Sequence, residues 1–266
     1  MHIAINTASL APNTTDALNR AAKLGFSHIE INLLTEEFAY GYRRKPNVRF
    51  YRNLKKQLAD LNLNVFSVTT PPLTQAQMFD SRARRDVIHG AAGAAGILGA
   101  QVFVTRPADI LTSEEAVTTY FDVVTAPPII SGYDELWAQV VNRRLNFTML
   151  NQAHWLGIPL TNHVDNIAKL TADLAIGFAM DIRSASRRGT IDTWLQKMGD
   201  RLAVAYIYDG GEETPYQAPM ADDWQEWLPP FTTSRLSAIV MQADFNQTDD
   251  QLLASRDYLQ GILNNE

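Results

Sequence analysis

Short runs of β-branched and aromatic residues alternate along this chain with stretches whose apolar positions recur every three or four residues. The first pattern reads as strand and the second as helix. Ile3 to Asn6 predicts a strand. A helix capped by Thr14 or Thr15 follows, carrying Leu18, Ala21, Ala22 and Leu24, and Gly25 stops it. His28 to Asn32 predicts a second strand. Leu54, Leu58 and Leu61 recur at helical spacing before a third, Val65 to Val68. A helix from about Arg84 to Leu98 ends at Gly99 before Val102 to Val104. Another, about Tyr133 to Leu156, ends at Gly157 before Ile158 to Leu160. Asp165 or Asn166 reads as the cap of a helix ahead of Ile176 to Met180. Trp194, Leu195 and Met198 mark a helix that stops at Gly199 and precedes Leu202 to Ile207. Ala238 to Met241 is the last strand, and Thr248 caps a final helix through Leu263.

One unit recurs in this pattern: an apolar residue, then Gly, then a strand. It appears at Leu24-Gly25, Leu98-Gly99, Leu156-Gly157 and Met198-Gly199. Parallel strands buried on both faces need helical crossovers, and this is their signature. The eight strand candidates predict a (β/α)₈ TIM barrel, one domain over residues 1–266. A doubly wound open sheet is the alternative, but the turn Thr7 to Asn13 lacks its Gly-rich fingerprint. Two segments break the rhythm, 107–133 with Pro127-Pro128, and 210–230, rich in Gly, Pro and acidic residues. Both follow strands, so both are expected on the face where active sites of barrels lie.

Composition narrows the chemistry. With 266 residues, 46% hydrophobic and 20% charged, the chain supports a large core. It has no cysteine, which excludes disulfides, thiolate metal sites and a cysteine nucleophile. Its net charge of −6 lacks the basic footprint of nucleic-acid binding. The clusters Arg43-Arg44-Lys45 and Arg82 to Arg85 read as solvated surface. No stretch suits a membrane span, and Met1 to Thr15 does not read as a signal peptide, so a cytoplasmic location is expected.

In a barrel the residues that close each strand share one pocket. Here they are polar and rich in hydroxyls and amides, such as Asn6, Thr69, Thr70 and Gln242, which suit hydrogen bonding to a polyol or sugar. Lysine is absent from these ends, so Schiff-base chemistry is not expected. No phosphate loop, dinucleotide fingerprint or HExxH motif occurs.

These strand ends resemble the xylose isomerase-like barrels of the sugar phosphate isomerase/epimerase type. The resemblance begins at Lys23 to Ile31, with Glu30 matching that family's acidic residue. It continues at Leu156 to His163, at Phe178-Ala179-Met180-Asp181 and at Val204 to Asp209. Active members hold a divalent metal with Glu, Asp, His and Glu on strands five to eight, and the two Glu residues move protons beside a carbonyl. This chain carries Thr161, Asp181, Tyr206 and Gln242 at those positions, and the family's additional His falls near Ser184. A dication needs several anionic or imidazole ligands, and a phenol with a reference pKa of about 10 is a poor one. Neither Thr161 nor Gln242 abstracts a carbon-bound proton. No cofactor is therefore expected. Mn, Mg or Zn enters only if the alignment of ligands is wrong.

Each singled-out residue has two readings. Asp181 is a ligand to substrate or metal, or a helix N-cap. His163 is an acid/base group or a structural donor. Tyr206 fills the place of a metal. Gln242 meets a ligand hydroxyl. Glu30 pairs with Arg106 or Arg183, while Arg183 alternatively receives a carboxylate or phosphate. Trp224 and Trp227 stack on a sugar face or pack in the core. His2, His28, His89 and His154 are assigned no role.

Three functions follow: a binding barrel for a small sugar, polyol or sugar acid without metal chemistry, an active metal-dependent isomerase or epimerase, or a non-catalytic pseudoenzyme. The active form has a variant in which Asp165, Asp209 and His163 complete a rearranged site with Asp181. Expected partners are small molecules, without nucleic acid or membrane. A homodimer through exposed barrel helices is compatible with the sequence.

Overall fold

The computed structural model describes residues 1–33, 48–70, 80–105, 110–111, 146–150, 154–155, 158–159, 164–170, 172–173, 177–187, 189–211, 214–232, 236 and 238–264. Eight parallel strands close into a barrel. In chain order they are β1 (His2–Asn6), β2 (His28–Asn32), β3 (Asn64–Thr69), β4 (Val102–Thr105), β6 (Asn146–Leu150), β9 (Gly177–Asp181), β10 (Leu202–Ile207) and β13 (Ala238–Met241). Each pairs with its neighbour in sequence, and β1 closes the ring on β13 through His2–Ala238 to Ile5–Met241.

Two layers of apolar side chains hold this ring. Ala4, Val104, Ala179, Val204, Tyr206 and Val240 belong to the cluster inside the barrel. Ile5, Phe103, Met180 and Ile207, one residue out of phase with members of that set, pack outward with helical residues such as Leu18, Leu54 and Trp194. Alternation on each strand thus sends one set inward and the other under the helices. A bulge at Phe66, where Ile29 pairs with Val65 but Glu30 with Ser67, brings that ring into the interior cluster.

The helical crossovers start and stop on local chemistry. Helix α1 (Thr14–Lys23) is capped by Asn13, whose Oδ1 accepts from Asp16 N at 2.9 Å, one residue before the expected threonines. It ends with Gly25 at φ 72°, where Gly25 N reaches Ala22 O at 3.0 Å and Phe26 N reaches Ala21 O at 3.1 Å. Helix α2 (Val48–Asp60) and helix α3 (Ser81–Leu98) occupy their expected places, and Gly99 closes α3 at φ 87°. Helix α4 (Val164–Leu170) already contains Asp165 and Asn166, so neither is its cap. After α5 (Ile182–Ser186) and α6 (Ile191–Met198), Gly199 is helical at φ −52° and opens a 3₁₀ turn instead of a left-handed stop.

The fifth barrel strand corrects the sequence reading. Asn146–Leu150 pairs with both β4 and β9, within the span expected to be a helix from Tyr133 to Leu156. Ile158–Pro159 instead forms β8 in a side sheet with β5 (Ile110–Leu111) and β7 (His154–Trp155). Pro159 has no N–H, so this run lacks a donor that an inner barrel strand uses. Asn146-Phe147-Thr148-Met149-Leu150 keeps all of its donors and its strand-forming residues.

At the carboxyl end of β10, a hairpin of β11 (Asp209–Gly211) and β12 (Thr214–Gln217) leads to α7 (Trp224–Trp227) and α8 (Pro229–Thr232). The described part of segment 210–230 is therefore on the expected face. Segment 107–133 lies outside the described residues apart from Ile110–Leu111. The closing helix α9 (Asp249–Asn264) starts with a reciprocal cap: Thr248 N donates to Gln251 Oε1 at 2.9 Å and Gln251 N to Thr248 Oγ1 at 3.2 Å. No helix among the described residues is long and apolar enough to cross a membrane.

Candidate functional site

Glu30 lies inside the barrel, fully buried on β2. Its Oε1 accepts from Asn6 Nδ2 at 2.7 Å, and its Oε2 from Ser67 Oγ at 2.7 Å and Tyr206 OH at 2.6 Å. Asn6 Oδ1 accepts from Ala8 N at 2.9 Å, which fixes the amide and therefore the donor aimed at Oε1. Tyr206 OH also lies 3.2 Å from Thr69 Oγ1. Burial pushes the Glu30 carboxyl above its ordinary range, against the pull of these hydrogen bonds. The expected pairing with Arg183 does not form, and Arg106 lies outside the described residues. Short hydroxyl and amide donors reach the barrel axis, whereas Arg183 has a partner of its own.

That partner is Asp209. Arg183 Nη1 donates to Asp209 Oδ1 at 2.9 Å, and the guanidinium lies 5.9 Å from the Trp227 ring centre. Trp224 Nε1 shares Oδ1 at 2.9 Å, while Met220 N and Ala221 N reach Oδ2 at 2.6 and 2.9 Å. Asp209 thus ties the loop after the hairpin to the end of β9. The Arg183 cation meets a carboxylate of its own chain rather than a ligand's.

Asp181 closes β9 and caps the five-residue helix that follows. Its Oδ1 accepts from Ser184 N at 2.9 Å and its Oδ2 from Tyr208 OH at 2.7 Å. Burial and the Asp181 charge both push the Tyr208 phenol far above its ordinary value, so it stays a donor. Tyr206 and Tyr208 are two residues apart on one face of the chain leaving β10, and each holds one acidic side chain.

Gln242 follows β13, and its backbone N donates to Ile207 O at 2.9 Å. Its buried Oε1 and the buried Nε of Arg183 have no hydrogen-bond partner among the described residues. These are one acceptor and one donor near the carboxyl ends of strands. Thr161 and His163 lie outside the described residues, and the end of the fifth strand is Leu150, so Thr161 does not hold the strand-five position. The next residue in the sequence is Asn151, again uncharged.

The rearranged ligand set does not assemble among the described residues. Asp209 is held by four donors, and Asp165 is exposed on α4, paired with Lys197 at 3.1 Å. No three His, Asp or Glu side chains converge among the described residues. Both oxygens of Asp181 and both of Glu30 already accept hydrogen bonds, and the Tyr206 hydroxyl donates to Glu30. A dication requires several oxygen or imidazole lone pairs aimed at one point, and these donors do not fit that requirement.

Trp224 is fully buried and takes the core reading; Trp227, which meets it edge to face at 5.2 Å, is only partly buried against that core. Ser67 was not among the strand-end candidates. Its alternation with Thr69 on β3 was the available signal, hidden by the bulge at Phe66. Asp209 and Tyr208 stood in the sequence as strand-end residues, but no local pattern names their partners.

No protein-family model matches the chain, and no curated protein does. Solved structures do share its fold. A D-allulose 3-epimerase from Methylomonas sp. superposes with a TM-score of 0.70 at 14% identity, over 98% of each chain. A sugar phosphate isomerase/epimerase from Parabacteroides distasonis does so at 0.64 and 14%, over 97% of this chain and 93% of its own. An IOLI protein with a bound zinc atom gives 0.66 and 14%, over 99% and 98%. The shared fold is therefore a TIM barrel.

Proposed function

We propose that this chain binds a small sugar, polyol or sugar acid at the carboxyl-terminal mouth of its barrel, without divalent-metal chemistry. One observation carries the reading: a tyrosine hydroxyl is bonded to each acidic side chain of the candidate set, Tyr206 to Glu30 and Tyr208 to Asp181. Two carboxylates occupied in this way are poor ligands, and the phenols that occupy them are poor bases. Gln242 Oε1 and Arg183 Nε, without a partner among the described residues, suit a ligand that offers both a donor and an acceptor, as a hydroxyl or carboxyl does. The sugar-active neighbours of the fold support the substrate class by analogy.

A second reading, a metal-dependent isomerase or epimerase, draws support from the zinc in the IOLI structure. The two separate in a thermal-shift screen of hexoses, hexitols and aldonic acids, run with chelator and with added Mn²⁺. A ligand that binds only the folded state stabilises it by about 2.7 kcal/mol at a hundred times its Kd. The first reading expects the same shift in both buffers, reduced in Gln242→Ala and Arg183→Met. A shift seen only with added metal contradicts it and supports the second.

A further inference from the structure

The hairpin after β10 carries a partly exposed aromatic ring stacked on a buried one. Tyr208 is buried, and its hydroxyl is fixed by Asp181 Oδ2 at 2.7 Å. Tyr216, on β12, stacks against it with ring centres 4.2 Å apart and planes inclined by 27°. Tyr216 nevertheless keeps 39% of its surface exposed, whereas Trp224 further along the same segment is fully buried. The contact with Tyr208, whose hydroxyl is anchored at the end of β9, places the Tyr216 ring beside the mouth of the barrel.

The backbone beneath this ring is held from several sides. Asp244 N donates to Tyr216 O at 2.7 Å, and Ala218 N to Gln247 Oε1 at 2.6 Å. Asp209 takes the next two free amides, Met220 N and Ala221 N. The loop that grips the hairpin is itself gripped. Arg20 donates to Leu10 O at 2.7 Å, to Phe245 O at 2.9 Å and to Gln247 O. Exposure of Tyr216 is thus imposed by a pinned backbone and a stacked partner. A rigid tyrosine has few torsions left to freeze, so little entropy is lost when a ligand settles on it.

We infer that Tyr216 is the stacking platform of the mouth and selects ring-closed monosaccharides over open-chain polyols and sugar acids. This rests on the sugar-binding reading above and narrows it. A sugar ring presents a flat patch of C–H groups that meets an aromatic face over a broad area, while its hydroxyls radiate outward and stay free to hydrogen-bond. An open-chain hexitol has no such patch. An open-chain hexitol or aldonic acid must also freeze its carbon torsions to imitate one, at a conformational cost the ring has already met.

The test is calorimetric titration of the full chain with glucose, galactose and fructose, and with the matching hexitols sorbitol and galactitol. The proteins are wild type, Tyr216→Phe, Tyr216→Ala and Tyr216→Thr, the last keeping a strand-compatible residue should alanine disturb the hairpin. Circular dichroism and melting curves check that each variant folds. Ring-closed sugars are expected to bind wild type more tightly than hexitols. Removing the ring in either small variant weakens them about tenfold, the stacking energy of roughly 1.4 kcal/mol converted to affinity. Tyr216→Phe keeps affinity within about twofold, and hexitol binding does not change. If wild type binds ring sugars and the small variants bind them equally well, the platform is wrong and the sugar-binding reading stands. Hexitols that bind as tightly as the rings, or lose as much on substitution, also overturn it. If wild type binds neither class, the platform falls, and with it the sugar and polyol part of the reading it rests on.

Discussion

Tyr206→Phe removes one hydroxyl from the centre of the barrel and nothing else. The lost group donates to Glu30 Oε2 at 2.6 Å and lies 3.2 Å from Thr69 Oγ1. Its ring is fully buried, so water does not readily replace it. A buried hydrogen bond to a charged acceptor contributes about 1.5–3 kcal/mol. For a chain of this size that is a fall in Tm of roughly 5 °C. The pH dependence makes the prediction specific. The carboxyl of Glu30 is raised by burial, and Tyr206 is the largest of the hydrogen bonds that pull it down. A carboxyl raised in the folded state contributes stability that is present below its unfolded value and is lost as pH rises through its folded value. Without the phenol the folded value climbs further, so the loss extends to higher pH and grows in size. The deficit of Tyr206→Phe relative to wild type should therefore be smallest at the acid end of the range and grow as pH rises. Urea unfolding at several pH values measures it, with Glu30→Gln as the reference that removes the titration. A deficit equal at all pH values, or one that keeps its pH dependence in the Glu30→Gln background, refutes the reasoning.

Three further outcomes are expected. Asp209→Asn leaves the mostly buried Arg183 without its counter-charge and costs about 3 kcal/mol; limited proteolysis should then cut the 210–230 segment first, and resistance equal to wild type counts against the anchoring role of Asp209. Asp181→Ala removes a helix cap and the acceptor of Tyr208, together about 2 kcal/mol, and the loss should be the same with chelator as with Mn²⁺. The His28 imidazole is held below its ordinary value by burial and then by His2, whose ring stacks on it at 4.0 Å. Its stability contribution is therefore present above the unfolded value near pH 6.5 and is lost as pH falls, so His28→Gln should flatten the acid side of the stability curve, read by thermal melting in steps of pH.

Much of the barrel was legible because its strands are buried on both faces. His28–Asn32, Leu202–Ile207 and Ala238–Met241 stand at their expected bounds, the last two because continuous apolar runs between polar turns have few other interpretations and the first because its isoleucines alternate with polar residues. The fifth strand failed for the same kind of reason. Leu156-Gly157-Ile158 imitates the helix stop and strand start seen at Leu24-Gly25, while Asn146–Leu150 has no preceding glycine to announce it. Pro159 held the contrary signal.

The candidate site was legible as a set of residues and not as a set of bonds. Glu30, Asp181, Tyr206 and Gln242 follow from strand ends alone. Which donor each carboxylate meets depends on contacts such as Tyr206 with Glu30, 176 positions apart, and no local spacing encodes them. Long arginines were natural partners to expect for a buried acid. Neutral hydroxyls took that place because a barrel axis has room for Ser67 and Thr69 and for a tyrosine rising from the opposite wall.

The central claim is that the acids at the barrel mouth are already satisfied by the chain itself. Calorimetric titration of chelator-treated protein with Mn²⁺ and Zn²⁺ tests it most directly. The account predicts no saturable binding in the micromolar range at neutral pH. One equivalent bound at micromolar affinity, and abolished by Asp181→Ala, contradicts it.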